Sequence, residues 1–148
     1  MAKFKLTDEW WTGPAEAENG ALVMVTGRKD MEPVMETGKY IYRVEITWRY
    51  EGDSSGMPDE ATSLLMEEVQ DALQNDFMKD PVAVLTGIYT GNGERNWVFY
   101  TMNLRIFDRK LNEDLAQFER LPLELYAESD PEWNEYREMR EASEILTE

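Results

Sequence analysis

The chain has 148 residues, with 31 Asp and Glu against 15 Lys and Arg, a formal net charge of −16 and a sequence pI near 4.3. A surface that negative repels phosphate backbones and anionic headgroups, which disfavours nucleic-acid and membrane-surface binding and steers a basic protein partner inward. There is no cysteine and no histidine, so disulfides, thiolate nucleophiles, zinc–thiolate sites and a Ser-His-Asp triad are excluded, and catalysis would fall to carboxylates, Lys, Tyr, Ser or Thr.

The length suits one folded domain with a sizeable core. The first residues carry no apolar leader, and no apolar run reaches membrane-spanning length, so the expected location is the cytoplasm. Lys3–Trp11 fits a first strand, and Gly13, Pro14, Asn19 and Gly20 then break the chain. Ala21–Thr26 fits a second short strand. Gly27–Gly38 is polar, contains Pro33 and reads as a loop. Residues 1–38 thus form an N-terminal β extension.

Lys39–Tyr50 is the clearest strand. Tyr40, Tyr42, Val44, Ile46, Trp48 and Tyr50 alternate with Ile41, Arg43, Glu45, Thr47 and Arg49, and a period of two sends the two sets to opposite faces. A helix follows from Asp59 to about Phe77, with an apolar stripe through Ala61, Leu64, Leu65, Val69, Ala72, Leu73 and Phe77. Asp59 and Glu60 sit where the helix dipole favours negative charge. Val82–Tyr89 and Arg95–Met102 are strands joined through Gly91-Asn92-Gly93, a hairpin signal because Asn and Gly tolerate positive φ. Asn103 can cap a helix with an apolar face at Leu104, Phe107, Leu111, Leu115 and Phe118. Leu121–Glu128 reads as a last strand. Asp130-Pro131 opens a terminal helix, with Asp130 as N-cap and Pro131 as first helical residue. The Glu-rich tail beyond Tyr136 is expected to lie on the surface or fray.

From Lys39 the order is β-α-β-β-α-β. The expected fold class is α+β: a ferredoxin-like two-layer sandwich over residues 39–148, with both crossover helices on one face, an N-terminal β extension and a C-terminal helix, one domain overall.

The motifs that carry chemistry are few. Gly91-x-Gly93 lies between two strands and reads as a hairpin, not a phosphate loop. Glu51, Asp53, Asp59 and Glu60 do not have EF-hand spacing and read as a solvated loop and a helix start. With 31 acids, a carboxylate pair carries no information. No metal and no cofactor are expected.

The aromatic content of the strands is the more informative feature. Along Arg95–Met102, Arg95, Trp97, Phe99 and Thr101 point one way and Asn96, Val98, Tyr100 and Met102 the other. Only one sheet face of a two-layer fold meets the helices, so one of these sets should lie on the open face, joined by Tyr126, Arg43 and Arg49. The N-terminal strands, the terminal helix or a second copy of the chain can cover that face; a ligand or partner is the alternative. Neither the net negative charge nor the sequence, which lacks an RNA-recognition signature, agrees with base stacking, so that reading is rejected.

Two functions follow. In the first, the chain is a non-catalytic interaction or regulatory domain for a protein partner or a homodimer, anchored by Trp97, Phe99 and Tyr126. In the second it is a small-molecule binder or carboxylate-based enzyme, with Arg49 and Arg95 gripping an anionic ligand beside Trp97 and Tyr100. A plainer role for Arg95 is a cross-strand pair with Glu45.

Four motifs, taken in order, carry a family resemblance. They are Tyr42-Arg43-Val44-Glu45-Ile46-x-Trp48-x-Tyr50, Gly56-Met57-Pro58-Asp59, Gly91-x-Gly93-x-Arg95-x-Trp97-x-Phe99-Tyr100, and Asp130-Pro131-x-Trp133-x-x-Tyr136. Together they resemble the bacterial domain-of-unknown-function family 695, from about Lys39 to the last helix. The resemblance implies a small α+β domain and no catalytic residues. A weaker similarity runs to the acidic regulator-of-ribonuclease-activity proteins, through acidity, the ferredoxin-like plan and a strand ending in Phe-Tyr. Those proteins inhibit an enzyme by binding it, which implies an interaction role.

Overall fold

The computed structural model describes residues 6–54 and 56–143. In chain order the elements are β1 (Trp10–Glu16), β2 (Leu22–Arg28), α1 (Glu32–Glu36), β3 (Tyr42–Arg49), α2 (Glu60–Lys79), β4 (Ala83–Gly91), β5 (Glu94–Thr101), α3 (Leu104–Leu115), β6 (Leu123–Ser129) and α4 (Asn134–Ser143).

Local chemistry sets the starts of the long helices. Asp59 Oδ1 accepts from the Thr62 amide at 2.7 Å, capping α2. Asn103 Oδ1 accepts from the Ile106 amide at 3.0 Å, capping α3. Each cap satisfies one of the amides that a helix start leaves without an intrahelical partner. Between β4 and β5 the turn residues Asn92 and Gly93 have φ of 54° and 81°, and Gly91 pairs with Glu94 across the hairpin. Two positive φ values define the two-residue turn whose twist matches the flanking strands.

All pairings are antiparallel, and the six strands lie in the order β1-β2-β4-β5-β3-β6. The N-terminal strands are thus part of the sheet, extending it beyond β4. Pro14 lies inside β1 instead of breaking the chain. It is tolerated because β1 is an edge strand, where a missing N–H on the outer side removes no ladder bond. The strand expected over Lys3–Trp11 is displaced to Trp10–Glu16, and residues 3–5 lie outside the described ones. The segment read as a loop over Gly27–Gly38 holds the last two residues of β2 and the short helix α1, with Pro33 in its first turn.

The core is double. On one face, Val44, Ile46, Trp48, Trp97, Phe99 and Leu85 pack against Met66, Val69, Leu73 and Phe77 of α2 and Phe107 and Leu111 of α3. On the other, Val25, Val84, Val98 and Tyr100 pack against Met31 and Val34 of the α1 region and Trp133, Tyr136 and Met139 of the α4 region. The second face is thus covered in part by the chain's own terminal helix, one of the covers the sequence allowed, together with the α1 region. Residues 137–143 do not fray, since Met139 and Ser143 are buried and Ser143 Oγ accepts from Trp11 Nε1 at 2.8 Å; the rest of the expected tail, 144–148, lies outside the described residues.

In the α2–α3 seam, Asp114 of α3 lies against Asp76 of α2, and Lys110 donates to Asp76 at 2.8 Å and to Asp80 at 3.1 Å. Burial, and then the Asp76 carboxylate, push Asp114 up to about 7. Burial alone would raise Asp76 as well, but its bonds to Asp114 and Lys110 outweigh that and hold it below the usual range. The folded chain thus keeps a proton on Asp114 that the unfolded chain releases near pH 4. Because the native state binds more protons in that window, stability decreases as pH rises from about 4 through about 7. Asp114→Asn is expected to flatten this part of a thermal-melt pH profile.

Candidate functional site

The sequence-derived site residues divide between the two faces. Trp97 and Phe99 are fully buried under α2 and α3, where Trp97 Nε1 donates to Gln70 at 2.8 Å. Tyr100 is fully buried on the opposite face, stacked on Trp133 with centroids 4.1 Å apart. These three serve the core, so neither a partner anchor of Trp97, Phe99 and Tyr126 nor a cleft lined by Trp97 and Tyr100 forms as expected. Arg95 is half-buried on the Trp97 side and donates to Thr90 Oγ1 at 2.9 Å. It stands opposite Trp48, not Glu45, so the cross-strand ion pair does not form. Arg49 is exposed and bridges Glu94 of β5 and Glu124 of β6. Arg49 and Arg95 lie on opposite faces of the sheet and cannot grip one anion.

Tyr126 keeps the expected place, 56% exposed on β6, and Arg49 shares its face. Tyr126 lies on the α4 side of the sheet, opposite Glu45, with the Arg43 guanidinium 5.8 Å from its ring centroid. Helix α4 packs on β1 and β2. The other half of that face, built from β3 and β6, carries Glu45, Thr47 and Arg49 beside Glu124, Tyr126 and Glu128. Strand β6 is the sheet's second edge, and Glu124 through Ala127 are exposed on it. Leu125 is 48% exposed on the opposite side.

Where this platform meets α4 there is a cavity of about 230 Å³. Its buried walls are Arg43, Thr86, Val98, Tyr136 and Met139. Tyr89, Asn96 and Glu45 are half-buried around it, and Glu135 of α4 is exposed at its mouth. Two backbone features shape it. The β4–β5 register shifts between Leu85 and Gly87, a bulge that sets Thr86 apart, with its hydroxyl donating to the Val98 carbonyl at 3.2 Å. At Gly87 a Cβ would lie 2.8 Å from Met139 Sδ, so glycine lets α4 approach the sheet closely.

Arg43 donates through Nε to Glu128 at 2.7 Å and through Nη1 to Glu45 at 2.9 Å. Burial would lower its pKa, but the bonds to Glu45 and Glu128 outweigh burial and raise it, so it is a fixed cation already matched by two carboxylates. Tyr89 is pushed above its ordinary value by burial and then by Glu135 and Glu45, with Arg43 opposing. Its hydroxyl stays protonated and is no general base. Among the described residues it makes no hydrogen bond. No group of three or more acidic side chains among the described residues is arranged to hold a metal ion.

The model of a family of unknown function, DUF695, matches residues 10–139. The chain belongs to the DUF695 family. The match starts at the first residue of β1 and ends within α4, so the family unit includes the N-terminal strands and the helix that closes the second core. No curated protein and no solved structure matches the chain. No helix among the described residues is long and apolar enough to cross a membrane.

Sequence reasoning named Arg43 beside Tyr126 but missed Tyr89 and Glu135. Tyr89 looks like any aromatic residue of a strand. Glu135 is one acid among 31. Only the docking of α4 brings them to one cavity.

Proposed function

We propose that this DUF695 chain is a non-catalytic protein-interaction domain. Its β3–β6 platform and β6 edge would hold a basic, extended segment of a partner. The observation that carries this reading is the β6 edge strand itself, with Tyr126 and Leu125 both about half exposed on a strand whose outer side pairs with nothing among the described residues. Such an edge offers main-chain hydrogen bonds to an added strand, and exposed aromatic side chains anchor interfaces. Edge acids also guard against self-pairing, and the charge pattern here does so. In an antiparallel pair of two β6 strands centred on Tyr126, Glu124 of one copy would face Glu128 of the other, and like charges directly opposite destabilise a sheet. That favours a basic partner over a homodimer. We further read the four strands β6-β3-β5-β4, with α2 and α3 between them in sequence, as a ferredoxin-like plan widened by β1 and β2.

The test is affinity capture with the wild-type chain and with Tyr126→Ala, at low and high salt, followed by hydrogen exchange on the complex with the identified partner. The expected result is salt-sensitive recovery of a basic partner, at least tenfold weaker binding by Tyr126→Ala, and new protection of amides in 123–129. Recovery of no partner at either salt, or protection confined to β1 or α2, overturns the reading.

A further inference from the structure

We propose that the cavity beneath α4 binds a primary alkylammonium group. This deepens the interaction reading but is tested without a partner. The cavity is too small for a drug-sized ligand and suits a short chain. Val98, Tyr136 and Met139 supply apolar wall for methylenes. Around it stand Glu45 and Glu135, with the Tyr89 hydroxyl free to accept a hydrogen bond.

The sign of the ligand follows from the charges. Arg43 is already engaged by Glu45 and Glu128. An anion would have to displace one of these carboxylates in a field that is negative overall. Glu135 makes no ion pair among the described residues. The acids therefore outnumber the single guanidinium, and a cation completes the set. Burial raises Tyr89 first, and Glu135 and Glu45 add to that rise against Arg43. An ammonium head has three donors for Glu135, Glu45 and the Tyr89 oxygen, and a guanidinium plane would crowd Arg43.

The ammonium can come from a free amine or from a lysine side chain, and the experiment separates them. Isotope-labelled chain is titrated with 1,5-diaminopentane and, separately, with N-acetyl-lysine amide, while amide shifts are followed by NMR. Sodium acetate serves as the anion control. The expected result is a saturable response at Tyr89, Asn96 and Glu135 with at least one amine, and none with acetate. Glu135 is exposed, so Glu135→Gln should fold normally and weaken binding about tenfold. Tyr89→Phe should weaken it several-fold. Tighter binding of the capped lysine points to a side chain delivered by a partner, and tighter binding of the diamine to a free metabolite-like amine.

No saturable response with either amine, or an unchanged titration in Glu135→Gln, overturns the proposal. A response spread over the acidic surface and abolished by salt does the same, since it is counter-ion binding. The two readings can fail separately. Amine binding with no partner recovered sinks only the interaction platform. A partner that binds Glu135→Gln and wild type equally, with no amine response, sinks only the cavity.

Discussion

Phe99→Ala is expected to lower the unfolding free energy by about 3–5 kcal/mol, the range for removing a large aromatic side chain from a packed core. Phe99 is fully buried, and its ring lies 5.5 Å from Phe77 and 5.3 Å from Phe107, which stack on each other at 5.5 Å. These three rings tie β5 to both α2 and α3, so truncation leaves a cavity at the centre of the larger core. Tyr126→Ala, by contrast, should change stability by no more than about 0.5 kcal/mol, because its ring is more than half exposed. Urea unfolding of the two variants checks the pair. A large loss at Tyr126 with none at Phe99 would mean that the roles of the two aromatic positions are reversed.

Asp130→Ala should detach α4 from the sheet. The Asp130 carboxylate is buried and accepts from Tyr100 Oη at 2.7 Å, from the Asn134 amide at 2.9 Å and from the Glu135 amide at 3.1 Å. Alanine would leave a buried hydroxyl and two helix-start amides without that acceptor. With each orphaned buried group costing about 1–3 kcal/mol, a loss of about 3 kcal/mol is expected. The geometry around it is exacting. Trp133 has a φ of 59°, an unfavourable conformation for a residue with a Cβ, and it is held there by stacking on Tyr100 and by its Nε1 donating to the Tyr40 carbonyl at 2.9 Å. Faster hydrogen exchange at Val84, Val98 and Tyr100, with Phe99-side packing retained, would identify local release of α4. Uniform loss of protection would instead mean that the two cores unfold together.

Much of this arrangement was legible in the sequence, and the failures are instructive. The Asn92-Gly93 turn, the helix start at Asp59 and the cap at Asn103 rest on local backbone chemistry, which a few residues determine. The alternation in β5 correctly sorted Trp97 and Phe99 from Val98 and Tyr100. What period two cannot say is whether the second face is covered. That answer depended on Trp133, Tyr136, Met139 and Ser143, a helical stripe diluted by Glu and Arg until it looked like a polar tail. Pro14 and Gly13 resembled a chain break because their tolerance in β1 depends on its edge position, a property of the whole sheet. The cavity was illegible for the same reason: it needs a bulge at Thr86, a glycine at 87 and a helix from about 50 residues later in one place.

The hydrogen bond from Trp11 to Ser143 joins residues 132 apart in sequence. Nearly the whole intervening chain must be threaded before the second core can close. Contacts that distant carry a large loop-closure entropy and slow the search for the native state. During synthesis, β1 and β2 would wait beside the ribosome for β4 to pair with them, and their inner surface would stay wet until α4 emerged. An acidic, mutually repelling chain is well suited to that wait, because its unfinished copies resist clumping.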